Sequence, residues 1–171
     1  METLFVYNDG GRKAAGFKGH TGDCVTRSIA IVTGKPYKEV YDALNELSNP
    51  FNNKKHKRIR GKSNARTGVH KPVYHNYLLS LGMKWTPTML IGQGCRVHLR
   101  ADELPKGRII CRLSRHLTAV IDGVINDTFN PARETNVVEF KEKLSDIQRK
   151  QFAEVEHKYT SGRCVYGYYS F

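Results

Sequence analysis

The stretch Gly22-Asp23-Cys24-Val25-Thr26-Arg27-Ser28-Ile29-Ala30-Ile31-Val32 decides how the rest of the 171-residue chain is read. A Gly-Asp corner ends in a cysteine, and a largely apolar run follows at once. Val25, Ile29 and Val32 stand at i, i+4 and i+7, with Ala30 and Ile31 on the flanks. That spacing predicts a helix with little surface left for water. Asp23 is suited to cap its N-terminus. Cys24 then falls in the first turn, where unpaired N–H groups and the positive end of the helix dipole favour a thiolate over a thiol. Such a thiol needs only a neighbouring base to become a nucleophile. The plainer reading is a cysteine that is simply packed in the core. What separates the two readings lies far downstream.

There, residues 117–121 and 124–129 read as strands joined by Asp122-Gly123, the signature of a type I′ hairpin turn. With those two as the turn residues, Ile121 opposes Val124, Thr118 opposes Asp127 and His116 opposes Phe129. Side chains alternate between faces, so His116, Thr118 and Val120 share one face with Ile125, Asp127 and Phe129. His116 and Asp127 become diagonal neighbours within reach of each other. Asn126 points to the opposite face, so the register selects Asp127 as the group that would orient the imidazole.

Gly22-Asp23-Cys24 before an apolar helix, a later His116 on a strand and Asp127 on the next resemble the papain-like cysteine peptidase superfamily. The Asp-Cys start and the order Cys, His, Asp are more similar to its bacteriocin-leader-processing branch than to papain. The run SRHLTAVIDGVINDTFNP, residues 114–131, also resembles small uncharacterised proteins of bacteriophages and their bacterial hosts. The resemblance implies an α+β, papain-like fold in which the N-terminal cysteine helix packs on an antiparallel β-sheet. It implies acyl transfer, with Cys24 as nucleophile, His116 as general base and then acid, and Asp127 holding the tautomer. It implies a peptide or protein substrate and no cofactor. One position departs from the pattern: the glutamine expected about six residues before the cysteine is Lys18 here. The backbone N–H of Cys24 supplies one oxyanion donor; Lys18, His20 and Thr21 are the candidates for another. Loss of a donor costs roughly a hundredfold or more in rate. A non-catalytic basic accessory protein that binds nucleic acid or a nucleoprotein complex therefore stands as the alternative.

The charge supports some polyanionic contact. The net charge is +12, yet residues 1–46 are balanced, and residues 47–101 hold eleven Lys/Arg and no acid. A solvated surface does not require such segregation. Residues 49–71 read as an exposed, mobile loop that Asn49-Pro50 opens by breaking the preceding helix. Lys54, Lys55, Lys57, Arg58, Arg60, Lys62 and Arg66 within it are candidates for contact with RNA, DNA or a ribonucleoprotein. Cys95-x-x-His98 and His20-x-x-x-Cys24 lack the second pair that a zinc site needs, so no metal is assigned.

The remaining elements follow from periodicity. Residues 4–7 form a strand closed by Asn8-Asp9-Gly10-Gly11, and residues 36–47 an amphipathic helix. A shorter helix opens at Pro72, and strands begin at Lys84 and Arg108. A further strand is expected at 137–140, a charged helix at 145–157 and a last strand at 164–169. The chain reads as one domain, residues 1–171, without repeats. No apolar run reaches membrane-span length, and the N-terminus lacks a secretory pattern. The expectation is a cytoplasmic protein, in a bacterium or an infected host cell, with its four cysteines reduced.

Overall fold

The computed structural model describes residues 4–19, 21–56, 59–132, 145 and 162–171. They form a mixed α+β arrangement of three helices on a six-stranded, mostly antiparallel sheet. In chain order these are β1 (Phe5–Tyr7), α1 (Cys24–Thr33), α2 (Tyr37–Asn52), α3 (Lys71–Ser80), β2 (Lys84–Pro87), β3 (Arg108–Leu113), β4 (His116–Ile121), β5 (Val124–Asp127) and β6 (Gly167–Ser170). Across the sheet the order is β1-β5-β4-β3-β6-β2, with only β1 and β5 parallel. The strand expected at 137–140 and the helix at 145–157 fall almost wholly outside the described residues.

Helix α1 is the centre of the fold. Every residue from Val25 to Val32 is buried, polar ones included, and the helix lies against β4 and β3 with α2 on its other side. Two of its hydroxyls are satisfied across the core: Thr26 Oγ1 donates to the Ala65 carbonyl (2.8 Å) and Ser28 Oγ to that of Leu117 (3.1 Å). At its C-terminus Gly34 takes the left-handed conformation that a closing residue needs. The Arg108 guanidinium bonds the free carbonyls of Val32 (2.7 Å) and Ile31. Strand alternation divides the core. Ile110, Ala119 and Tyr169 face α1, whereas Ile109, Val120 and Ile125 face Leu99, Leu104 and Val165 on the other side.

The β4–β5 hairpin has the expected register, with Ile121 opposite Val124, Val120 opposite Ile125 and Ala119 opposite Asn126. Asp122 and Gly123 both have positive φ, 50° and 85°, as a type I′ turn demands.

Three expectations need correction. Helix α2 does not break at Asn49-Pro50 but runs on to Asn52. Pro50 removes one helical hydrogen bond only near the end, and tertiary contacts outweigh it. Phe51 packs on the core, and the Asn52 side chain bonds both the carbonyl (2.9 Å) and the N–H (2.8 Å) of Ser63.

Those same contacts correct the second expectation, because only part of the basic stretch is open. Ser63 and Ala65 are fully buried. Ser63 Oγ bonds Ser48 Oγ (2.9 Å), and the Ala65 N–H donates to Asn45 Oδ1 (2.9 Å). Thr26 holds the Ala65 carbonyl from α1. Residues 63–69 are therefore a built part of the fold. Lys54, Lys55, Arg60, Lys62 and Arg66 keep exposed side chains, and Lys57 and Arg58 lie outside the described residues.

Third, Cys95 and Cys164 are joined in a disulfide, against the expectation of four reduced thiols. Leu99 donates to Arg163 (2.8 Å) and Val165 to Val97 (2.8 Å). This pairing sets the two cysteines 5.8 Å apart at Cα, within normal disulfide reach. No helix among the described residues is long and apolar enough to cross a membrane.

Candidate active site

Cys24 is the first residue of α1. Its backbone N–H is among the first four of the helix, which have no intrahelical acceptor. The corner before it is tight: a Cβ on Gly22 would stand 2.9 Å from the Thr67 carbonyl oxygen. Only glycine lets the chain pass that close and bring the cysteine to the helix start.

Asp23 occupies the cap position, but its side chain makes no capping bond. The buried carboxylate accepts instead from the Tyr37 hydroxyl (2.6 Å) and from Arg27, with Arg12 Nε at 3.5 Å. Charge-assisted bonds of this kind outweigh a single bond to a helix N–H. Burial, then the bond to Asp23, push the Tyr37 phenol upward and keep it a donor.

His116 opens β4, with its Nε2–H donating to Asp127 Oδ2 at 2.7 Å. The hairpin register places the two as the strand alternation predicts. Asp127 Oδ1 accepts from the Thr128 N–H (2.7 Å) and from Arg27 Nη2 (3.0 Å). With Nε2 committed to the carboxylate, Nδ1 is the ring nitrogen left for Cys24, which lines the same cleft and interacts electrostatically with the imidazole.

The three groups perturb one another in the sense that separates charge. Burial alone would push the Cys24 thiol up. The hydrogen bond and charge of His116, a backbone bond from Leu117 and the charge of Arg27 more than reverse this, so the thiol lies below its ordinary value. Burial also works against a charged His116. Its bond to Asp127 and its bond and charge interaction with Cys24 prevail and raise it from 6.5 to about 9. Asp127 is likewise opposed by burial but is lowered overall, chiefly by His116. All three shifts act in the direction that favours a thiolate–imidazolium pair backed by a carboxylate. Cys111, by contrast, is wholly buried without any such partner, and its thiol is pushed upward.

Arg27 is the functional residue that sequence reading missed. It lies buried on α1 and ties Asp23 on its own helix to Asp127 on β5. The signal was present: the single charged residue of the helix, four residues after an aspartate.

Of the oxyanion candidates, Thr21 lines the cleft that holds Cys24 and His116, and its buried Oγ1 has no hydrogen-bond partner among the described residues. Lys18 is exposed and does not line the cleft; its carbonyl is held by Arg12 (3.0 Å) and Arg66 (3.1 Å), so its side chain faces solvent. His20 lies outside the described residues. The cleft measures about 590 Å³, and Thr67, Gly68, Val69 and His70 from the end of the basic stretch form one wall. Among the described residues no cluster of His, Cys, Asp and Glu is arranged to hold a metal ion. No family model matches the chain, and no curated protein or solved structure matches it.

Proposed function

We propose that the protein is a papain-like cysteine hydrolase acting on an amide bond in a peptide or protein. The observation that carries this reading is a thiol at a helix N-terminus in one cleft with His116, which is itself bonded to a buried Asp127. The Cys24 thiolate attacks the substrate carbonyl carbon. The oxyanion that forms is met by the Cys24 backbone N–H and the buried Thr21 hydroxyl. His116, protonated in the resting pair, gives its proton to the departing amine as the carbon–nitrogen bond breaks. His116 then takes a proton from water, whose hydroxide attacks the thioester and releases the acid and Cys24. Asp127 stabilises the imidazolium at each stage without accepting its proton.

An electrophilic thiol probe tests this directly. At neutral pH the probe is expected to label Cys24 faster than Cys111, with labelling lost in Cys24→Ala and slowed at least tenfold in His116→Ala, since the imidazole is the main group stabilising the thiolate. Equal labelling of Cys24 and Cys111 refutes the activated pair.

A second reading concerns the exposed cations of the basic stretch. None of the described ones, Lys54, Lys55, Arg60, Lys62 and Arg66, is in an ion pair with a described acid. They are free to neutralise the phosphates of RNA, DNA or a nucleoprotein and so to bring the hydrolase to its target.

A further inference from the structure

The cleft at Cys24 is the middle of a longer groove. It shares Ser114, Arg115, His116 and Phe129 with a second hollow of about 630 Å³. On the other side it shares Lys71, Arg112 and Tyr166 with a third of about 520 Å³. Among the described residues, no Asp or Glu lines any of the three. Lys71, Arg112 and Arg115 stand around the thiol without an ion pair to any described acid.

Two of these cations are held in place. Arg112 lies over the Tyr166 ring, 5.8 Å from its centroid. Lys71, the first residue of α3, lies 5.9 Å from the Trp85 centroid. The third, Arg115, sits at φ 55° in the two-residue turn between β3 and β4. A non-glycine residue is strained there, yet the turn presents its side chain to two of the hollows. Beyond Lys71 and Arg112 the groove becomes apolar, where Met89, Leu90 and Ile91 are exposed.

We propose that this groove takes an extended acidic peptide, with a carboxylate side chain next to the scissile amide held by Lys71 and Arg112 and an apolar side chain beyond it against Met89–Ile91. The proposal rests on the hydrolase reading and adds the substrate class. A peptide is favoured over a nucleic acid because, although Arg115 and Arg163 line one end of the groove, the other end gives way beyond Lys71 and Arg112 to the aliphatic surface of Met89, Leu90 and Ile91. A phosphate backbone would call for cations along the whole track.

The test uses paired peptides that differ only in Glu against Gln beside an apolar residue. Their binding to Cys24→Ala is measured by fluorescence anisotropy, and their hydrolysis by the active protein. The acidic peptide is expected to bind about tenfold more tightly, as a charge-assisted bond warrants. Lys71→Glu is expected to reverse the preference toward a lysine-bearing peptide. Arg115→Gly removes a cation while relieving its backbone strain, so it is expected to lower the acid preference without lowering the thermal midpoint. Equal binding of the two peptides overturns the proposal, as does stronger competition by a short oligonucleotide than by the acidic peptide. Turnover of both peptides at one rate overturns it too and leaves the hydrolase standing. Selective binding without turnover sustains the groove and rejects the hydrolase.

Discussion

Arg27→Met is the most revealing single substitution in the core of the site. Arg27 and its two carboxylate partners are nearly inaccessible, with side-chain exposures of 7% for Arg27, 1% for Asp23 and 3% for Asp127. Methionine fills similar space but strands both negative charges. Asp23 keeps Tyr37 and the more distant Arg12, and Asp127 keeps His116 and the Thr128 N–H. Removing one partner of a buried ion pair costs about 3–5 kcal/mol. With a urea m-value of about 2 kcal/mol/M, that lowers the unfolding midpoint by about 2 M. A neutralising second change separates electrostatics from packing. Asp23→Asn in the Arg27→Met background removes one stranded charge and is expected to recover at least about 1 kcal/mol, within the range of couplings between touching residues. The thiol responds as well. The Arg27 cation helps hold Cys24 below its ordinary value, so its loss raises the thiol pKa and slows alkylation at pH 6. A destabilisation below about 1 kcal/mol, the worth of a surface pair, refutes the argument. So does a double variant no more stable than Arg27→Met.

Stability and reactivity should also follow pH in a defined sense. His116 is raised from 6.5 to about 9 on folding, so its stabilisation is complete below pH 6.5 and is lost as pH rises through 9. Asp127 is lowered, so its contribution is present above 3.8 and is lost as pH falls below that value. The lowered Cys24 thiol contributes in the opposite sense over the same range, so urea midpoints from pH 4 to pH 10 are measured in Cys24→Ala; they are expected to decline above neutrality there and to decline less when His116→Gln is added, and parallel curves count against the His116–Asp127 pair. For the basic stretch, replacing Lys54, Lys55, Lys57, Arg58 and Arg60 with serine is expected to abolish nucleic-acid binding at low salt. The same change should shift stability by no more than about 0.5 kcal/mol, and unchanged binding by electrophoretic shift rejects that partner. Ala65→Leu, a few residues on and fully buried, is expected to cost about 1–3 kcal/mol by overpacking.

The parts of this molecule that could be read from the sequence are those whose geometry is set locally. The β4–β5 register follows from a two-residue turn, and period-two alternation carries it outward to His116 and Asp127. Helix α1 announces itself because Val25, Ile29 and Val32 stand at i, i+4 and i+7 with Ala30 and Ile31 on the flanks. What could not be read depends on segments that meet only after folding. Arg27 finds Asp127, Cys95 finds Cys164 and Thr26 finds the Ala65 carbonyl, and none of these pairings has a spacing that marks it. The basic stretch shows the physical reason. Its charges and lack of apolar periodicity read as an open loop, yet its later half is held by polar side chains bonding to backbone, which leave no hydrophobic pattern. The same segment supplies the Thr67 carbonyl against which Gly22 packs. The corner that positions Cys24 and the end of the charged stretch are therefore one piece of structure. The end of the charged stretch, residues 67–71, accordingly lines the cleft beside the thiol and brings Lys71 to it, because the chain makes room for the cysteine by packing Gly22 on Thr67.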